Sequence, residues 1–80
     1  MRLDKYLKTT RLIKRRTIAN EACDAGKLIV NGKTARASYE VKVGDEILIN
    51  MGTRSLKVKV LSIQENARKE NAAEQYVVIE

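Results

Sequence analysis

The sequence predicts an α+β fold in which two short N-terminal helices pack on a small, mostly antiparallel β-sheet. Apolar residues follow a helical period in the first third of the chain and alternate with polar residues after Lys27. A chain of 80 residues buries only about 60–65% of the surface that it exposes when unfolded, which leaves room for one core. We therefore expect residues 1–80 to form a single domain. Its core should be aliphatic, because Phe and Trp are absent.

The first predicted helix covers residues 3–8, where Leu3, Tyr6 and Leu7 recur at helical spacing. We expect Leu3 and Leu7 to lie in the core. Tyr6 fits two roles equally well, as a core residue or as a surface on which a base stacks. Three basic residues recur at every third position along one side of this segment: Arg2, Lys5 and Lys8.

A second helix is predicted over residues 17–25, and Gly26 is placed to end it. Two threonines at positions 9 and 10 separate it from the first helix. Leu12, which we expect in the core, and Ile13 then give the connection an apolar anchor. The second helix has an apolar stripe that should face the core, and it consists of Ile18, Ala19, Ala22 and Cys23.

In the rest of the chain, alternation of apolar and polar residues predicts strands joined by tight turns. Asn31-Gly32 suits a type I′ turn between two short strands. A second turn at Gly44-Asp45 leads into a strand that contains Ile47 and Ile49. Asp45 is therefore interpreted as a turn residue.

Two further segments complete the predicted sheet. The segment 55–63 alternates, which predicts a strand with one solvent-exposed face. Its inward residues are Leu56, Val58 and Val60, and its outward residues are Lys57 and Lys59. Residues 64–75 contain few apolar side chains and are expected to form a mobile excursion. The final stretch "YVVIE", residues 76–80, then closes the sheet as a last strand.

The positive charge is concentrated at the N-terminus. Residues 1–16 carry seven basic residues and one acid, Asp4, whereas residues 17–80 carry nine of each sign, so the first fifth holds the whole net charge of +6. Such asymmetry is typical of a face that binds a polyanion. Arg15 and Arg16 also lie at the positive end of the second helix, where an anion is favoured.

RNA is the polyanion that we expect this face to bind. Arginines rank above lysines as candidates, because a guanidinium binds phosphate through two hydrogen bonds and stacks on bases. Asn31 is mainly a turn residue whose tip also lies within reach of RNA, and Lys33 and Arg36 extend the basic face beyond it. The complete set of candidate RNA-binding residues is Arg2, Lys5, Lys8, Arg11, Lys14, Arg15, Arg16, Asn31, Lys33 and Arg36.

The sequence lacks the residues of common catalytic and metal sites. It has no His and a single Cys, so the usual general base and a four-ligand zinc site are both missing. Cys23 is expected to be buried and structural. Asp45 and Glu46 point to opposite faces of a strand and do not form an acid–base pair. We expect a cytoplasmic binding protein without enzyme activity, cofactor, signal peptide or membrane segment.

Three stretches together resemble the alpha-L RNA-binding domain of small-subunit ribosomal protein S-four. They are "RLDKYL" (2–7), "RRTIANEACDAGKLIVNGK" (15–33) and "VKVGDEI" (41–47). The residues that fall on the family pattern are Arg16, Ala19, Gly26, Val30, Asn31, Gly32, Gly44 and Asp45. The chain departs from the pattern at Arg15, where the family has a capping Ser, and at Ala22 and Cys23, where it has bulkier aliphatic residues.

Within that superfamily the chain is similar over its whole length to the ribosome quality control proteins of the RqcP type. This resemblance implies binding to large ribosomal subunits obstructed by peptidyl-tRNA, with contacts to rRNA and tRNA. It also implies support for alanine tailing of stalled chains by the partner factor RqcH. We expect the protein to be a monomer off the ribosome.

Several alternatives stay open at this point. The heat-shock-type members of the superfamily recycle large subunits, although they usually carry a basic C-terminal tail that this chain lacks. A general role in rRNA binding or ribosome assembly is another alternative. A helix-turn-helix that binds DNA is disfavoured by Glu21 and Asp24 on the second helix. A protein-only adaptor is the remaining class.

Overall fold

The computed structural model describes residues 1–63 and 75–79, which form two helices and five strands. The helices and strands are α1 Leu3–Thr9, α2 Arg16–Asp24, β1 Leu28–Val30, β2 Lys33–Thr34, β3 Glu46–Asn50, β4 Ser55–Val60 and β5 Tyr76–Val78. The strands form one sheet in the order β2-β1-β3-β4-β5, and each neighbouring pair is antiparallel. The predicted α+β architecture is confirmed.

Helix α2 begins one residue earlier than predicted and ends where the glycine signal placed its end. Gly26 has a φ of 74°, the left-handed conformation that glycine adopts without strain. Its N–H donates to the carbonyl of Cys23, and the N–H of Lys27 donates to the carbonyl of Ala22, both at 3.0 Å. These two bonds satisfy carbonyls that have no partner inside the helix, as in a Schellman motif.

The Asn31-Gly32 turn is confirmed in detail. Both residues have positive φ, 51° for Asn31 and 84° for Gly32, as a type I′ turn requires. The turn pairs Val30 with Lys33 across β1 and β2. Asp45 is confirmed as a turn residue, since it precedes β3 and its carboxylate accepts a hydrogen bond from the backbone N–H of Lys42 at 2.9 Å.

One cluster of buried side chains joins both helices to the sheet. Tyr6 belongs to this core, which decides between the two roles that its sequence position allows. Its ring is fully buried, and its hydroxyl donates to the backbone carbonyl of Gln75 at 2.8 Å. The alternation predicted for β4 is confirmed at Val58 and Val60, which are buried, and at Lys59, which is exposed, whereas Leu56 and Lys57 are both half-buried.

The positions of three residues differ from the predictions. Ile18 is 45% exposed rather than in the core, because the inward face of α2 is filled by Ala19, Ala22 and Cys23. Leu12 is half-buried at the margin of the core instead of inside it. Gln75, assigned to a mobile excursion, is fully buried, and its carbonyl accepts bonds from two further backbone N–H groups.

The rest of the predicted excursion, residues 64–74, and Glu80 lie outside the described residues. The final strand is confirmed over Tyr76–Val78, where it pairs with β4. In the described part of the chain, neither helix has the length and apolarity to cross a bilayer.

Candidate nucleic-acid interface

A buried carboxylate lies at the centre of the basic N-terminal segment. Asp4 is on the first turn of α1 and is 2% exposed. Its Oδ1 accepts a hydrogen bond from the backbone N–H of Lys5 at 2.8 Å, and its Oδ2 accepts one from Asn20 Nδ2 at 3.4 Å. This carboxylate therefore joins α1 to α2.

Two arginines pair with the same carboxylate from opposite sides. Arg2 Nε lies 3.3 Å from Asp4 Oδ1, and Arg16 Nε lies 3.3 Å from Asp4 Oδ2. The side chains of Arg2 and Arg16 stay about half exposed, at 52% and 49%. Arg16 Nε donates a hydrogen bond to Oδ2, whereas Arg2 contacts the carboxylate as an ion pair. A guanidinium carries five N–H donors, so each of these half-exposed arginines keeps donors for a further ligand. The result is a pair of oriented cations that can grip phosphate oxygens.

Asp4 stays ionised at neutral pH. Its burial raises the pKa, but hydrogen bonds from Arg16, Asn20 and the Lys5 amide, with the charge of Arg16, outweigh burial and hold the pKa below its ordinary value of 3.8. The ion pairs with the two arginines therefore persist throughout the physiological range.

The connection between the helices presents three more cations. Arg11 has a φ of 63°, a left-handed conformation that is uncommon outside glycine. On either side of it the chain is fixed, because the buried Thr10 hydroxyl donates to the Tyr6 carbonyl at 2.7 Å and Ile13 is buried. Arg11, like Lys14 and Arg15 at the start of α2, is exposed.

Arg15 is the N-cap residue of α2, and no side chain caps the helix there. The Ser-to-Arg departure from the family pattern thus removes a capping bond that is typically worth about 1 kcal/mol. In exchange, it adds an exposed cation beside the uncapped backbone N–H groups, an arrangement that favours anions.

The remaining sequence-predicted residues lie at different distances from this centre. Lys8 is exposed on the last turn of α1, and Lys5 is half-buried one turn earlier. Arg36 is exposed and lines, together with Arg2 and Asn20, a cleft of about 560 Å³ between α2 and the segment after β2. Arg36 is therefore on the same side as the Asp4 centre. Lys33 is exposed on β2.

Asn31 has a different environment from the arginines. Its Nδ2 donates to Asp45 Oδ1 at 3.0 Å, and its Oδ1 accepts from the backbone N–H of Glu46 at 3.0 Å. Tyr39 donates its hydroxyl to Asp45 Oδ2 at 2.8 Å. The Asn31 amide thus ties the β1–β2 turn to the turn before β3, and its contact with RNA stays a prediction.

Two residues of the centre, Asp4 and Asn20, are missing from the sequence-based candidates. The sequence offers one signal for Asp4, because it is the lone acid among seven basic residues in the first sixteen. Nothing local indicates that Asn20 contacts it, since the two residues are 16 positions apart and meet only when the helices pack.

Cys23 is buried in the core, as expected. Burial, assisted by the charges of Asp4 and Asp24, raises the pKa of its thiol to about 11, so the reactive thiolate is scarce at neutral pH. Within residues 1–63 and 75–79, no three His, Cys, Asp or Glu side chains are grouped so that they could hold a metal ion.

Comparison with known proteins assigns the chain to a family. Residues 1–47 match the S4 domain. An RQC P-site tRNA stabilizing factor of Listeria monocytogenes is 51% identical over 79 residues, which are 99% of this chain and 86% of the relative. The factor of the same name from Bacillus subtilis is 46% identical over 99% of this chain and 92% of its own length.

A solved structure shows the same fold. The trimeric structure of Vibrio cholerae heat shock protein 15 superposes with a TM-score of 0.90 at 29% identity, covering 98% of this chain and 80% of that chain. The resemblance expected from the three sequence stretches is confirmed. The chain belongs to the S4 domain family, in the group of the RQC P-site tRNA stabilizing factors.

Proposed function

We propose that this protein is an RNA-binding factor of ribosome quality control that binds large ribosomal subunits obstructed by peptidyl-tRNA. The observation that carries the proposal is the pair formed by Arg2 and Arg16 on the buried Asp4 carboxylate. Charged side chains that only face water do not need to be held in one orientation. A phosphate-binding surface gains from held side chains, because they lose less entropy on binding. The relatives from Listeria monocytogenes and Bacillus subtilis are named RQC P-site tRNA stabilizing factors, which supports the same proposal.

The surface acts by binding one state of the ribosome more tightly than the others. The chain has no His to act as a general base, and the thiol of Cys23 is buried, so binding is the role that this surface supports. Large subunits expose phosphate-rich RNA after they separate from small subunits. A protein bound there, beside the tRNA, holds the tRNA while RqcH adds alanine residues to the stalled chain. The factor works in the cytoplasm and is a monomer off the ribosome.

The proposed RNA contacts are the ten residues predicted from the sequence. Those nearest the Asp4 centre, Arg2, Arg16 and Arg36, should contribute most, because they converge on one side of the molecule. Lysines further away add charge without a fixed geometry.

Co-sedimentation of Arg16→Ala with large subunits tests the proposal. We expect the variant to lose association with subunits that carry peptidyl-tRNA while its circular dichroism spectrum is unchanged, because Arg16 is half exposed. Lys59→Ala is the matched control, since it also removes one exposed cation, from β4, and should bind normally. Normal binding by Arg16→Ala, or unfolding of that variant, would contradict the assignment.

Heat-shock-type recycling is the second candidate, and the superposition on heat shock protein 15 favours it. The two candidates differ in one cellular product. If the first is right, cells without the protein lose alanine tails on stalled chains, and Arg16→Ala does not restore them. Normal tailing in such cells would favour recycling.

Filter binding of structured RNA against duplex DNA tests the DNA-binding alternative, for which we expect no preference for DNA.

A further inference from the structure

An exposed apolar ridge interrupts the basic surface beside the start of α2. Ile18 is 45% exposed and Met51, just after β3, is 50% exposed. The two side chains line a recess of about 450 Å³, called here the Ile18 recess. Its lining consists of Leu12, Ile13, Lys14, Arg15, Ile18 and Met51.

This ridge is on a different face of α2 from the Asp4 centre. Arg16 and Asn20 point toward Asp4, whereas Ile18 lies with Met51 on the side that continues toward Ala22 and Ala25. The RNA contacts proposed above leave Ile18 and Met51 unexplained. Unlike a singly exposed apolar residue, these two side chains share one recess with Leu12 and Ile13 and form a contiguous apolar patch, the kind of surface that marks interaction sites.

The charges around the recess determine which partner fits. Lys14 and Arg15 are the charged side chains of its lining, and no carboxylate of residues 1–63 or 75–79 lines it. Glu21 lines a neighbouring recess of about 300 Å³ on the other side of the ridge, where Lys27 lies with it. The Ile18 recess therefore suits a ligand that has an apolar surface next to a negative group.

We propose that the Ile18 recess binds one unpaired nucleotide of the RNA that the basic surface contacts. The base packs against Ile18 and Met51, and the phosphate next to it meets Lys14 and Arg15. A base inside a duplex offers only its edges, so the nucleotide must be unstacked to present its ring face. The thioether of Met51 is polarizable and makes favourable contacts with aromatic rings.

This inference rests on the proposed RNA-binding function and adds a preference for RNA with an unpaired residue. Two RNA hairpins test it, one fully paired and one with a single bulged uridine flanked by the same stem. We expect the wild type to bind the bulged hairpin about fivefold more tightly, which corresponds to burial of roughly 40 Å² of apolar surface. The variant Ile18→Thr/Met51→Gln should bind both hairpins equally, with unchanged affinity for the paired one.

Two controls separate this effect from charge and from folding. Lys14→Ala/Arg15→Ala should weaken binding to both hairpins, because it removes phosphate contacts. Val77→Thr changes another exposed apolar residue, on β5, and should behave as the wild type. A 4-thiouridine at the bulge should crosslink to tryptic peptides 17–27 or 43–54, which contain Ile18 and Met51.

The outcomes distinguish failure of this inference from failure of the proposed function. Equal binding of both hairpins by the wild type, or a crosslink that maps elsewhere, overturns the nucleotide site and leaves RNA binding intact. Failure to bind either hairpin or large subunits overturns the proposed function itself. If Ile18→Thr/Met51→Gln loses binding to large subunits but keeps the preference for the bulged hairpin, a protein covers the ridge and the inference is wrong. The inference is also wrong if the wild type self-associates and the variant does not, because a second copy of this chain then covers the ridge.

Discussion

Replacing Asp4 by Asn separates the positioning of two arginines from the total charge of the surface. The buried carboxylate accepts the Lys5 N–H at 2.8 Å and pairs with Arg2 and Arg16 at 3.3 Å each. A hydrogen bond to a charged group contributes about 1.5–3 kcal/mol, and water competes for the half-exposed guanidinium groups. We expect Asp4→Asn to lose about 2 kcal/mol of unfolding free energy. For a domain of this size the melting temperature should fall by about 10 °C.

The effect of Asp4→Asn on RNA affinity has two parts of opposite sign. Loss of a negative charge at roughly 8 Å from a phosphate tightens binding about twofold in water. Loss of the anchor frees Arg2 and Arg16, and immobilising each side chain again on binding costs about 0.5–1.5 kcal/mol. The second effect is larger, so affinity for large ribosomal subunits should fall about fivefold. Quantitative co-sedimentation at low temperature, where the variant is folded, measures this change.

Asp24→Asn is the matched control for this experiment. Asp24 is exposed on α2 and lines the cleft that also contains Arg2, but it forms no ion pair in the described part of the chain. The substitution makes the same change in charge and should tighten binding about twofold. If Asp4→Asn also tightened binding, Asp4 would be a mere local charge and the positioning argument would be refuted.

Three further predictions concern the salt dependence of RNA binding, the backbone at residue 11 and the two buried carboxylates. If about five phosphates are neutralised, log affinity for RNA should fall with log salt at a slope of roughly −4. Lys59→Ala should leave that slope unchanged. A slope near zero would exclude the basic segment as the interface. In urea unfolding, Arg11→Gly should be about 1 kcal/mol more stable than Arg11→Ala, because glycine adopts the left-handed backbone at residue 11 without strain. Both variants should lose the same RNA affinity, because both lack the Arg11 side chain. Asp4 and Asp45 both have a pKa below the ordinary value of 3.8, so their contribution to stability should be complete above that pH and lost as the pH falls through the lowered pKa values. Urea unfolding midpoints measured at pH 2.5 and pH 7 test this. Equal midpoints at the two pH values would contradict the assigned hydrogen bonds.

Features encoded by neighbouring residues could be predicted from the sequence. The Asn31-Gly32 turn depends on two consecutive residues that tolerate positive φ, and the end of α2 depends on Gly26. The alternation in β4 depends on side chains two positions apart. Each signal is local, so no knowledge of the tertiary structure was needed.

Features that depend on contacts between residues distant in sequence could not be predicted. The spacing that placed Ile18 on an apolar stripe does not say where the core ends, and Ala19, Ala22 and Cys23 are the side chains of α2 that are buried. Asp4 counted only as an acid that reduced the local charge, because its partners Arg16 and Asn20 reach it through the packing of α1 on α2.

The hydroxyl bond between Tyr6 and the Gln75 carbonyl spans 69 residues and constrains the order of folding. Contacts so distant in sequence form late, since closure of the intervening chain is entropically unfavourable. During synthesis the first helix emerges long before the residue that its tyrosine needs, and a buried hydroxyl without a partner costs about 1–3 kcal/mol. That cost is a large fraction of the roughly 4–12 kcal/mol expected for a chain of this length. The packing of the helix that carries the buried carboxylate is therefore complete only after Gln75 has been made, so the binding surface of a growing copy of the protein forms after the strands β1 to β4 that precede Gln75.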